Sequence, residues 1–486
     1  MDNYDLIIKN GTVATAADTF RSDVGIRDGK VVALGSELAG ATRTIDAEGL
    51  LVLPGGVDAH VHLCQTGSSG VDTADDFESG TRSAVCGGTT TIISFAAQEK
   101  GHSLMTAVED YHQRAKGKAV TDYSFHMIVS DPTATVLREE LPELIRQGHN
   151  SFKIYLTYER RRVNDRQALD LLALARREGA LMMIHAENHD MIMWLAEQLE
   201  RAGKTEPKYH AVAHVAVAER EATHRAISLA EVVDVPILIV HVSAGEAIQQ
   251  IAAAQARGLK VYGETCPQYL FLTADDLDKP DLEGAKCVCS PPPRDKASQE
   301  LVWQGIQAGV LKIFSSDHAP YLFNGPTGKL KDGRVPFKKI QSGIPGLELR
   351  MPLLFSEGVG KGRIDLNTFV SLTASMPAKL YNLYPAKGTI AVGSDADIAL
   401  WDPTKEITVT HDMLHDNMDY TPYEGMQIKG YPVVTLSRGN VVWEGGVFKG
   451  VPGSGRFIPR TPSPYARPAG RNVLPFGTEI NYSPPS

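Results

Sequence analysis

Two histidines separated by one residue, His60 and His62, end the apolar run VDAHVH at residues 57–62. In an extended strand alternate side chains share a face, so both imidazoles can reach one metal ion. The chain then enters the polar stretch CQTGSSG, which places the pair at a strand end. Alone, such a pair reads more simply as two structural histidines. Further ligand-type residues at corresponding places change that reading: His185 ends ALMMIH, His241 ends VPILIVH and Asp317 ends VLKIFSSD. Lys153 lies inside the apolar run SFKIYL, where an unpaired ammonium is costly and the neutral amine is favoured. A neutral amine can attack carbon dioxide. The resulting carbamate is a negative, two-oxygen ligand able to bridge two cations, which suits a set of four imidazoles and one carboxylate.

Other residues of reactive type carry weaker patterns. His210 and His214 in KYHAVAH have the i, i+4 spacing of helical metal ligands, but no HExxH glutamate accompanies them, so surface or packing roles are expected. His318 adjoins Asp317, and neighbouring strand residues point oppositely, which predicts a structural role. Arg160, Arg161 and Arg162 in ERRRVND could pair with a substrate carboxylate, yet the run reads better as a solvated charge cluster. The five cysteines (Cys64, Cys86, Cys266, Cys287 and Cys289) are odd in number and lack a CxxC spacing. They are expected to be ordinary buried thiols of a reducing compartment, Cys287 and Cys289 included.

Positioning ligands from four strand ends around one cavity requires strands that run the same way. Eight candidates follow from residue 57: VDAHVH, TTTIISFAA, DYSFHMIVS, SFKIYLTY, ALMMIHAE, VPILIVHVS, KVYGETCP and VLKIFSSDHA. Between them lie stretches of helical period such as DRQALDLLALARREG and SAGEAIQQIAAAQARG. Eight strands alternating with helices predict an α/β fold, a (β/α)₈ TIM-like barrel with its site at the C-terminal strand ends. Counting alone leaves an open doubly wound sheet as the alternative. The opening YDLIIKNGTVAT and DVGIRDGKVVALG is all-β, with hairpins expected at Asn10-Gly11 and Asp28-Gly29. Short strands return in GTIAVGSDADIALWDP, KEITVT and YPVVTLSRGNVVWEGGVF, so both chain ends are expected to build one smaller β-sandwich domain. The expected divisions are residues 1–53 and 388–450 for the sandwich, 54–387 for the barrel and 451–486 for an extended arm rich in Pro, Gly and Ser.

With 49 Lys and Arg against 58 Asp and Glu, the net charge of −9 repels phosphate backbones and anionic membranes. Nucleic acid and membrane partners are therefore not expected. The start MDNYDLIIKNGTV has no basic stretch followed by an apolar one, and no run approaches the ~18 apolar residues of a membrane span. A cytoplasmic location is expected.

Taken together, His60-Val61-His62, Lys153 in SFKIYLTY, His185 in HAEN, His241 in HVS and Asp317 in SSDHAP resemble the cyclic amidohydrolases, nearest their dihydropyrimidinase and hydantoinase branch. The likeness extends to GGTTTIISF and GTIAVGSDADIALWDP. It implies two zinc ions per subunit, bridged by N6-carboxylated Lys153 and a hydroxide. His60 and His62 would bind the first, His185 and His241 the second, and Asp317 would complete the first and serve as the catalytic proton carrier. Tyr158, Ser290 in CSPPPR and Ser342 in QSGIPG fall where the family binds the substrate amide. The implied reaction opens the ring C–N bond of a small cyclic amide or ureide, in a homotetramer. A cyclic imide hydrolase with the same metals is the alternative. A noncatalytic relative is disfavoured because all six ligand positions are present. Leu63-Cys64-Gln65 follows the histidine pair where dihydroorotases and allantoinases carry an arginine, which disfavours those activities. Ser342 replaces an asparagine usual in hydantoinases, and Ser94 replaces an aspartate. The loops CQTGSSGVD and ERRRVND are more polar than a pocket for phenyl groups favours.

Overall fold

The computed structural model describes residues 4–67, 70–331 and 336–470. Eight parallel strands, Gly56–Val61, Thr89–Ala97, Asp122–Ile128, Ser151–Tyr155, Leu181–His185, Ile237–Ile239, Val261–Thr265 and Leu311–Phe314, pair in sequence order. A parallel bridge between Val61 and His318 joins the first strand to the segment after the last, closing the barrel. Both faces of these strands are covered, which is why they read as continuous apolar runs. Phe152 and Ile154 pack outward against the helices, while Tyr155, Met183, Leu238 and Val240 belong to the interior cluster.

The strands are shorter than their apolar runs. Ile237–Ile239 stops before His241 and Leu311–Phe314 stops before Asp317, so these residues sit just beyond the ladder. The intervening helices form for local reasons. Asp165–Glu178 begins on an Asn164 and Gln167 capping box and ends at Gly179, whose φ of 70° gives a left-handed cap.

The chain ends build two further sheets. One joins Tyr4–Lys9, Asp23–Arg27, Lys30–Gly35 and Ala41–Asp46; the other has seven strands, in which Leu51–Pro54 pairs antiparallel with Ile398–Thr408. Leu6, Ile8 and Val24 from the first meet Val52, Ile398 and Leu436 from the second in a shared core. Asp28-Gly29 turns a hairpin, with φ of 52° and 73°. Asn10-Gly11 does not. The chain crosses there from one sheet to the other, and Gly11 passes so close to Val52 that a Cβ would lie 2.3 Å from its Cγ2.

Residues 451–470 form an extended strap across the N-terminal end of the barrel; residues 471–486 of the expected arm lie outside the described residues. The Ile458 amide donates to the Tyr123 carbonyl, and the Arg460 amide to that of Gly148. Arg460 is fully buried, donating to Ser124 Oγ, Ser151 Oγ and the Phe125 carbonyl. Replacing it with methionine should strand those acceptors and cost about 3 kcal/mol of stability. The check is the denaturant midpoint, which should fall; an unchanged midpoint contradicts this assignment.

Candidate active site

The strand ends bring the ligand-type residues to one cavity, whose wall includes His62, Lys153, His185, His241 and Asp317. His60 lies just beneath, fully buried. Asp317 Oδ1 stands 3.1 Å from His60 Nε2 and 3.3 Å from His62 Nε2. Lys153 Nζ is 2.9 Å from His60 Nε2, between the faces of Phe95 and Tyr155. It makes no ion pair among the described residues. The His185 and His241 rings lie 4.5 Å apart. Ligand atoms of His60, His241 and Asp317 fall within 4.8 Å of one another.

The hydrogen bonds around the rings fix which nitrogen is left for a ligand. His60 Nδ1 donates to Glu264 Oε1 at 2.6 Å, and His62 Nδ1 to Gln65 Oε1 at 2.7 Å. Both Nε2 atoms are thereby directed at the cavity. His185 Nε2 donates to Glu187 at 2.7 Å, which leaves Nδ1. His241 Nδ1 is buried with no hydrogen-bond partner among the described residues. An orphaned imidazole nitrogen beside a carboxylate, three other imidazoles and a buried amine suits a divalent metal ion.

Burial dominates the electrostatics. It brings the His62 imidazole down to about 4 and holds His185 and His241 below their ordinary value, so these rings are neutral and able to bind metal. For Asp317, burial pushes upward, but the neighbouring His60 and His62 imidazoles hold the carboxyl well below its usual range. Burial drives the Tyr158 hydroxyl well above its ordinary value, so it remains an O–H donor. Three of the site residues adopt left-handed backbone, Tyr158 at φ 67°, His241 at 40° and Asp317 at 50°, a conformation uncommon for non-glycine residues and typical of functional sites.

Tyr158, Ser290 and Ser342 also meet on the cavity wall. Tyr158 hydrogen-bonds to Ser290, whose Oγ is 3.4 Å from that of Ser342. Ser94 is fully buried, its hydroxyl has no partner among the described residues, and it does not line the cavity.

Residues 51–442 match the amidohydrolase family. The chain belongs to that family. Over 457 residues this amidohydrolase is 46% identical to a D-hydantoinase of Rhizobium radiobacter, covering 94% of this chain and 99% of that one. Its structure is similar to that of dihydropyrimidinase from Brevibacillus agri NCHU1002, with a TM-score of 0.92 and 46% identity over 95% of this chain and 99% of the other. It is also similar to L-hydantoinase (dihydropyrimidinase) from Arthrobacter aurescens, at 29% identity and a TM-score of 0.85 over 94% and 100% of the two chains.

Several readings of the amidohydrolase sequence are narrowed or corrected. Of the surface or packing roles expected for His210 and His214 the packing one holds: both are buried, and His214 Nδ1 holds the second oxygen of Glu187 at 2.8 Å. His214 thus braces His185 through that carboxylate. Arg161 is buried on the cavity wall, whereas Arg160 is exposed and Arg162 pairs with Glu159. Cys64 is only half-buried, although the other four thiols are buried. His318 is structural, as expected: its Nε2 donates to Asp75 and its Nδ1 accepts from the Gly346 amide.

Glu187, Glu264 and Gln65 escaped notice in the sequence. A carboxylate inside the apolar run KVYGETCP was the available signal for Glu264. That residue accepts from His60 Nδ1, the His241 amide and Ser315 Oγ, tying three strand ends together. Glu264→Gln is expected to weaken metal binding by roughly 10–100-fold, because the amide releases the His60 tautomer. Titration against a competing chelator measures this; unchanged affinity rules out the bracing role.

Proposed function

We propose that the protein hydrolyses the ring C–N bond of a dihydropyrimidine or 5-substituted hydantoin, giving an N-carbamoyl amino acid. The observation that carries this reading is the convergence of His60, His62, Lys153, His185, His241 and Asp317 at one barrel mouth. Kinship with proteins named hydantoinase and dihydropyrimidinase supports it. In this reading His60, His62 and Asp317 would hold one zinc ion and His185 and His241 a second, with N6-carboxylated Lys153 as a ligand shared between them. When bound, such ions polarise a carbonyl and make water a nucleophile near neutral pH.

The chain's own residues supply the rest. Asp317, held ionised, accepts the proton of the attacking water and returns it to the departing ring nitrogen. The Tyr158 hydroxyl donates to the carbonyl oxygen as negative charge develops there. The main chain at Ser290 and Ser342 orients the ring amide beside Tyr158. Homotetrameric assembly in the cytoplasm belongs to the same reading. It rests on kinship, since residues 451–470 strap their own barrel. Light scattering tests the assembly.

The function is tested with dihydrouracil, hydantoin and succinimide assayed side by side, together with elemental analysis. Turnover of the first two, two zinc ions per subunit and loss of turnover on chelation are expected. Turnover of succinimide alone points to an imide hydrolase and overturns the proposal.

A further inference from the structure

We infer that this cavity takes rings whose exocyclic substituent ends in a carboxylate, and that the Arg161 side chain binds it. The inference rests on the hydrolytic reading above and narrows its substrate class. In the run Glu159-Arg160-Arg161-Arg162, a tight turn decides which side chain faces inward. Tyr158 is left-handed, and its carbonyl accepts from the amides of both Arg161 and Arg162. Arg160 ends in solvent. Arg161 is 8% exposed and lines the same cavity as His62, Lys153 and Asp317.

A guanidinium is a permanent cation with five N–H donors. Arg161 gives one to the Gln98 carbonyl at 3.3 Å and one to the Thr66 carbonyl at 3.1 Å. It has no carboxylate partner among the described residues. Two carbonyl dipoles offset only part of the cost of burying a cation, and three donors remain. A substrate carboxylate supplies the missing charge in the geometry a guanidinium matches best. The two carbonyls belong to the loops after the first and second strands, at the barrel mouth, where a substituent leaves the ring. The setting outside agrees. A recess of about 810 Å³ shares Tyr158 and Ser342 with the cavity and carries Arg160, Lys331 and Lys339 on its wall. Glu159 is the one acidic residue on that wall among the described residues, so the recess beside the cavity is net basic in a chain of net charge −9, a field that attracts anions.

The competing role is mechanical: Arg161 merely pins two loops. Pinning affects every substrate alike, so a ratio between two substrates separates the roles. The metal-loaded enzyme is assayed on a hydantoin bearing a carboxyethyl group and on its neutral carboxamide, with dihydrouracil as reference. Wild type should prefer the carboxylate roughly 30-fold in kcat/KM, mostly through KM. Arg161→Met should bring the ratio to about one, and Arg161→Lys should keep an intermediate ratio. Calorimetric binding of the ring-opened products, N-carbamoylglutamate and N-carbamoylglutamine, should follow the same order. A wild-type ratio near one, or a ratio retained in Arg161→Met, overturns the inference while leaving the hydrolytic reading intact if dihydrouracil is turned over. Inactivity on all three rings overturns both.

Discussion

Replacing Lys153 with methionine is expected to lower kcat by about 10³-fold or more and to strip metal from the protein. The side chain occupies a slot between Phe95 and Tyr155, with its amine 2.9 Å from His60 Nε2. Methionine fills that slot and offers no anionic oxygen, so the fold survives while the proposed bridge is lost. The magnitude follows from losing several kcal/mol of Lewis-acid stabilisation. Lys153→Ala empties the slot instead, and a short carboxylate such as propionate should then restore part of the metal content and turnover. Labelled bicarbonate should give a carbamate signal in wild type alone. A methionine variant that keeps its metal and its rate contradicts the bridge directly.

The second large effect is expected at Asp317. Asp317→Asn should reduce kcat by about 10³–10⁴-fold, the upper end of what a positioned proton carrier contributes. Asparagine preserves the shape and tolerates the φ of 50° found there, since Asn and Asp are the non-glycine residues most at home in left-handed backbone. What it cannot do is accept the water's proton. Thermal stability should therefore stay near wild type, and metal should be retained in part through the histidines. A variant with near-normal turnover would reassign the proton to another group on the wall.

The barrel was legible because strands buried on both faces leave long apolar runs. Lys153 stood out by interrupting one of them. Strand limits were less legible, since His62, His241 and Asp317 lie where the chain has already bent out of the ladder. The supports of the imidazoles were not legible at all: His60 and Glu264 are separated by 204 residues, and only closure of the barrel makes them neighbours. A run of charges carries no information about depth, so Arg161 reads as solvated although it is buried. A single left-handed residue, Tyr158, turned one of three arginines inward. The role of Asn10-Gly11 was likewise set by distant packing, since Val52 rather than a local turn demands the glycine.

The strap across the barrel's closed end sets an order of events during synthesis. All eight barrel strands leave the ribosome before residues 456–460. Until then the Phe125 carbonyl and the hydroxyls of Ser124 and Ser151 await the guanidinium that will satisfy them. Covering that end of the barrel therefore waits for delivery of the C-terminal segment. All the residues of the candidate site, from His60 to Ser342, thus leave the ribosome before the segment that covers the opposite mouth.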